Sequence, residues 1–90
     1  MMSSEEYREE DRPVAVEVRE EVLRVTLADG RVIETPMAWY PALEAATPAQ
    51  RAHVVLLVDG VHWPDIDEYL SVNGMLAGIR PVHPRRQKVA

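Results

Sequence analysis

Residues 23–35 read LRVTLADGRVIET. Two alternating runs flank Asp29-Gly30, a dipeptide that favours a hairpin turn. The length of that turn decides the fold, because a one-residue slip moves every side chain to the opposite face. A two-residue turn at Asp29-Gly30 sets Val25 opposite Glu34. A three-residue loop, Ala28-Asp29-Gly30, places Gly30 at the left-handed bulge position. It sets Val25 opposite Ile33 on one face and Arg24 opposite Glu34 on the other. The second register satisfies both faces, so the sequence predicts it.

Upstream, Val14, Val16 and Val18 alternate with Glu17 and Arg19, the signature of a half-buried strand. Glu20-Glu21 makes a tight connection to the strand of Leu23, Val25 and Leu27. Downstream, Pro36 ends the third strand, and MAWYPALEAA (37–46) reads as a short helix with Pro41 in its first turn. Leu43 and Trp39 lie on one side of it. Thr47-Pro48-Ala49-Gln50 is a capping box for a second brief helix ending near His53.

Val54 to Val58 is wholly apolar, which predicts a strand in the sheet interior. Asp59-Gly60 is a second hairpin signal, with two loop residues. Val61-His62-Trp63 returns, and Pro64 stops the pairing. HWPDID (62–67) then joins this hairpin to a helix Val72 to Ala77, capped by Ser71 and stopped at Gly78. Leu70, Met75, Leu76 and Ile79 are expected to face the core. The predicted order is β-β-β-α-α-β-β-α. The fold class is α+β: a small antiparallel sheet built from hairpins, with two or three short helices packed on one face.

Ninety residues make one small domain. Residues 1–12 are polar and aperiodic, an expected disordered acidic terminus with five acids and two Arg. Residues 13–79 form the single domain, with ten acids against four Arg. Residues 80–90 are a basic, Pro-containing tail with three Arg, one Lys and no acid. The chain has no Cys, which excludes disulfides, thiolate metal sites and cysteine nucleophiles, and fits a reducing cytoplasm. No apolar run approaches the about 20 residues that span a bilayer. The whole chain's net charge is −5, and the ten acids against four Arg in the body make it repel a phosphate backbone, so nucleic-acid binding is disfavoured there.

His62, Asp65 and Asp67 are close in sequence, and residue types of this kind serve as zinc ligands or as an acid–base pair. Pro64 and a strand end separate them, so their convergence is not built in. Ser71 is explained as a helix cap and leaves no nucleophile. No catalytic set, cofactor site or metal site is therefore expected. The two Trp fill the centre of a Phe-free core, or mark a partner surface. The candidate surface is Trp63 with His62, Asp65, Asp67 and Glu68, together with Trp39. Its acids either steer a basic partner or decorate a solvated rim, with Asp67 or Glu68 favouring the N-terminus of the following helix.

LRVTLADGRVIETPMAWYPALEAATPAQRAHV (23–54), followed by GVHWPDIDEYLSVNGMLAG (60–78), resembles the prokaryotic domain-of-unknown-function family 2442. The similarity runs from Val14 to Gly78. It rests on Asp29-Gly30, on Trp39 with Pro41 and Leu43, and on Thr47-Pro48 with Arg51. His62-Trp63-Pro64 through Asp67, Leu70-Ser71-Val72 and Leu76 complete it. The resemblance implies a small α+β bacterial domain with no assigned chemistry and no catalytic residues to carry over. It implies a short cytoplasmic protein, in some cases encoded beside another small gene in a pair that looks like a toxin–antitoxin module. Some relatives add a helix-turn-helix domain, for which this chain is too short. Tyr69 and Asn73 stand where similar sequences carry acids.

The leading expectation is a non-enzymatic cytoplasmic interaction module, the antitoxin-like half of a two-gene pair, with a small protein partner or a second copy and no membrane. The first alternative is a nucleic-acid-associated regulator using Arg80, Arg85, Arg86 and Lys88 of the tail. The second is a small hydrolase or metal enzyme around His62, Asp65 and Asp67.

Overall fold

A computed structural model describes residues 8–79. The first sheet is the antiparallel meander β1 (Pro13–Arg19), β2 (Val22–Leu27), β3 (Val32–Pro36). Val25 pairs with Ile33 and Arg24 with Glu34, the register the three-residue loop requires. Leu27 N–H donates to the Arg31 carbonyl (2.8 Å), and Gly30 sits at φ 98°, the left-handed conformation that favours glycine. Asp29 fastens the loop by accepting from the Arg31 N–H (3.0 Å), and that bond holds its carboxyl below the usual carboxylate range. On the outer face Arg24 reaches Glu34 at 3.5 Å. Leu23, Val25 and Leu27 on the inner face are buried.

The tight connection before β2 takes both Glu20 (φ 51°) and Glu21 (φ 67°) into the left-handed region. That is the backbone of a type I′ turn, where Asn-Gly is the favoured pair. The first strand departs from simple alternation. Its register shifts between Pro13 and Ala15, and Val14 at this bulge is exposed, while Val16 and Val18 stay half-buried. Residues Glu9–Asp11, within the segment expected to fray, form a 3-10 turn that Asp11 ties to Arg31.

After β3 come a 3-10 turn (Met37–Trp39), α1 (Pro41–Glu44) and α2 (Pro48–Ala52). The expected single helix over 37–46 is thus broken: residue 40 sits at ψ 81°, outside the helical region. The capping box of α2 forms as read, with Gln50 N–H donating to Thr47 Oγ1 (3.1 Å) and Thr47 N–H to Gln50 Oε1 (2.9 Å).

The second sheet differs from its sequence expectation. It comprises β4 (Val55–Leu56), β5 (Gly60–Trp63) and β6 (Glu68–Ser71), all antiparallel. HWPDID does not lead into a helix. A 3-10 turn (Pro64–Ile66) and a left-handed Asp67 (φ 55°) reverse the chain, and the acidic EYLS segment returns as a strand. The four-residue strand puts Asp67 and Glu68 away from the N-terminus of α3 (Val72–Leu76). The apolar run Val54–Val58 is not interior: Val55, Leu56, Leu57 and Val58 are all exposed, at the outer edge of the sheet order β4-β5-β6. The two-residue loop is Val58-Asp59, since Leu57 N–H donates to the Gly60 carbonyl (2.8 Å).

Gly60 is needed for closeness. A Cβ there would run into the Leu70 carbonyl oxygen and come within 2.8 Å of the Tyr69 ring and hydroxyl. Ser71 caps α3 by accepting from Gly74 N–H (2.9 Å). The helix closes with Gly78 N–H donating to the Met75 carbonyl and Ile79 N–H to that of Gly74. Leu70 and Met75 face the core as expected, but Leu76 and Ile79 are exposed.

Both sheets share one core. Leu23, Val25 and Leu27 meet Val61, Trp63 and Leu70, with Met37, Tyr40 and Leu43 before α2 and Val72 and Met75 in α3. Each fully buried aliphatic side chain contributes about 1.5–3 kcal/mol. Among the described residues no helix is long and apolar enough to cross a membrane.

Candidate functional site

The residues grouped in sequence around HWPDID are dispersed by the fold. Alternation along β5 sends Val61 and Trp63 inward and leaves His62 half-buried. Trp63 is fully buried, and its indole N–H donates to the Arg51 carbonyl (3.0 Å). A side chain so enclosed has no face to offer a partner. Glu68, opposite Trp63 across β5 and β6, is also buried at 6% exposure. Trp39 is half-buried, edge-on to the buried Tyr40, with ring centroids 6.4 Å apart. Of the expected partner surface, Asp65 and Asp67 are the members that stand exposed.

Asp65 does not meet His62. It hydrogen-bonds His53 Nδ1 at 3.1 Å, linking the turn after β5 to the end of α2. His62 instead has Val55 and Tyr69 as its cross-strand neighbours. Among the described residues, no three His, Cys, Asp or Glu side chains are grouped to hold a metal ion. The chemistry considered for His62, Asp65 and Asp67 thus loses its geometry. Arg80, Arg85, Arg86 and Lys88 lie outside the described residues.

Three connections were invisible in the sequence because they depend on how the elements pack rather than on local chain pattern. Arg51 is the first. Its guanidinium donates to the carbonyls of Leu43 (3.0 Å) and Glu44 (2.6 Å), while its own carbonyl accepts from Trp63. One residue so ties α1 and α2 to β5. The Tyr40 hydroxyl donates to Thr35 Oγ1 (3.0 Å) inside the core. The Tyr69 hydroxyl donates to Asp59 (3.1 Å); partial burial, then this carboxylate neighbour, push its pKa above the usual phenol value.

What remains exposed and unusual is the strip Val55 to Val58. Its four consecutive aliphatic residues are 37–57% exposed, at the open edge of the second sheet. Asp59 follows it directly, and His53 with Asp65 lies just before it. At Val54 the strip meets a groove of about 430 Å³ between the α2 residues Pro48, Arg51 and Ala52 and the β1 residues Val16, Glu17 and Val18.

Two solved structures share this fold. A protein of unknown function from Rhodospirillum rubrum ATCC 11170 matches with 27% identity and a TM-score of 0.68, over 81% of this chain and 93% of its own. An uncharacterized protein from Chromobacterium violaceum, solved by NMR in solution, matches with 22% identity and a TM-score of 0.70, over 88% of this chain and 79% of its own. No curated protein matches the chain. The family model DUF2442, a protein of unknown function, matches residues 13–81, which include the meander, all three short α-helices and the whole second sheet. The chain belongs to the DUF2442 family.

Proposed function

We propose that this protein is a non-enzymatic interaction module of the cytoplasm that binds a small basic protein, as the antitoxin-like half of a pair. The observation that carries the reading is the exposed apolar edge Val55–Val58. Monomeric proteins blunt such edges with charge, proline or a covering element, because unpaired strand edges recruit other chains. Here the edge is uniformly aliphatic, on a body whose residues 13–79 carry ten acids against four Arg. An apolar strip with an acidic surround suits a partner of complementary charge.

The test is to purify the chain from its native host at near-physiological salt, identify what accompanies it, and rebuild the pair from purified components. The reading expects a small basic protein in fixed stoichiometry that dissociates as salt rises. A chain recovered alone, or a reconstituted mixture that sediments as two separate species, contradicts it.

A further inference from the structure

The two sheets differ on the sides turned away from the core. In the first sheet the outward positions carry Glu17 and Arg19 of β1, Arg24 of β2 and Glu34 of β3, joined as Glu17–Arg19 (3.2 Å) and Arg24–Glu34 (3.5 Å). In the second sheet Val61, Trp63 and Leu70 point inward and are buried. The alternate positions point outward, so Val55, His62 and Tyr69 lie side by side across β4, β5 and β6. Leu57, bonded to Gly60, falls on the same side. A Cβ on Gly60 would run into the Tyr69 ring, so that ring lies over Gly60 on this outer face.

With His neutral, Val55, Leu57, His62 and Tyr69 carry no formal charge. An outward sheet face in water is ordinarily polar, as it is in the first sheet. Strand β1 runs within 8 Å of β4, yet Val55, Leu57 and Tyr69 stay 40%, 37% and 44% exposed. Asp59, at the rim, accepts from the Tyr69 hydroxyl (3.1 Å) and shares a small cleft with Arg8. The face therefore gives a charged partner little to pair with. The surrounding body, residues 13–79, carries ten acids against four Arg, so two copies repel wherever their charged surfaces meet. An uncharged face is the one place where such a chain meets its own copy without opposing like charges.

We propose that the outer face of the second sheet is a self-association surface, and that its occupant is the same face of a second copy. The face has two unlike halves, aliphatic Val55 and Leu57 beside aromatic Tyr69, with His62 of the central strand between them. A two-fold axis running along the strands lays β4 of one copy over β6 of the other. Val55 and Leu57 of each copy then cover Tyr69 of the other, and the two His62 rings meet near the axis. These side chains fall well below the about 800 Å² per partner of a standard interface, so the dimer is weak, with a Kd on the order of 0.1 mM. The proposal stands apart from the interaction reading above, since Leu56 and Val58 project from the opposite side of the chain.

Sedimentation velocity of the full chain from about 10 μM to about 1 mM, at low salt and in about 0.5 M salt, reads the association. A dimer should form within that range and tighten about threefold in high salt, because screening relieves the repulsion between two acidic bodies while apolar contact persists. Amide shifts of the isotopically labelled chain on dilution should fall on Val55, Leu57, His62 and Tyr69. Val55→Glu places a carboxylate on the face and should weaken the dimer about tenfold or more, with the thermal midpoint little changed. Leu56→Glu adds the same charge on the opposite side and should weaken it far less. If Val55→Glu does not fold, Leu57→Glu takes its place.

A monomer at the highest concentration in both salts would overturn the proposal, and a native partner found on this face of such a monomer would then be its occupant. Dilution shifts that map elsewhere, or equal weakening by Leu56→Glu, would place any dimer on another surface. A dimer that loosens as salt rises would rest on charged contacts and overturn it as well. None of these outcomes touches the interaction reading, which stands or falls on the basic partner.

Discussion

The two sheets have three antiparallel strands each, yet they display opposite relations between pattern and place. In β2 the alternation Leu23, Val25, Leu27 against Arg24 and Thr26 separates a buried face from an outer one. In the second sheet the most apolar run, Val55–Val58, is exposed. The acid-rich stretch beginning at Asp65 leads instead into β6, where Glu68 and Leu70 are buried. Period-2 alternation reports which face of a strand is wet. A uniform apolar run reports no face at all, and it fits an open edge awaiting cover as well as an interior strand.

The anchor of the second sheet is Trp63, and replacing it probes the largest single burial. A buried Trp removes about 150–250 Å² from water. Trp63→Ala should cost about 3–5 kcal/mol and leave the Arg51 carbonyl without its indole donor. Urea unfolding measures this; a loss below about 1 kcal/mol would mean that Trp63 does not hold the two sheets together.

The glycines separate the sheets next. Gly60→Ala drives a Cβ into the Leu70 backbone, so strands β5 and β6 must part, at about 1–3 kcal/mol. Gly30→Ala has open space around it and meets only the left-handed backbone penalty, about 1 kcal/mol. Equal losses at the two positions would remove the close approach that sets the second sheet apart. The paired replacement Glu20→Asn with Glu21→Gly should sharpen the first hairpin. It relieves two left-handed glutamates and should raise stability by about 0.5–1 kcal/mol, read as a higher urea midpoint.

The legibility of the fold follows the same division. The register of β2 with β3 was readable because a Gly-containing loop and two patterned faces pointed to one answer. The Thr47 and Ser71 caps were readable because capping is local chemistry. The sixth strand was not: Pro64 and three acids suggest a linker, and strand pairing across Asp67 depends on a left-handed residue that Asp tolerates without announcing it. The candidate surface is dispersed for a related reason. Sequence proximity joined His62 to Asp65, but the side chains of β5 alternate, and the turn after Trp63 carries Asp65 to His53. The apolar edge lay in plain view in the sequence, and burial was the missing information.

The central claim is that β4 is an exposed edge rather than an interior strand, and a pair of lysines tests it most directly. Leu56 and Val61 face each other across β4 and β5, the first exposed and the second fully buried. Urea unfolding of Leu56→Lys and Val61→Lys should separate them. Leu56→Lys should lie within about 0.5 kcal/mol of the parent, as surface substitutions do, while Val61→Lys buries an unpaired ammonium and loses several kcal/mol or fails to fold. Comparable, severe losses in both would place Val55–Val58 inside the protein and contradict the account.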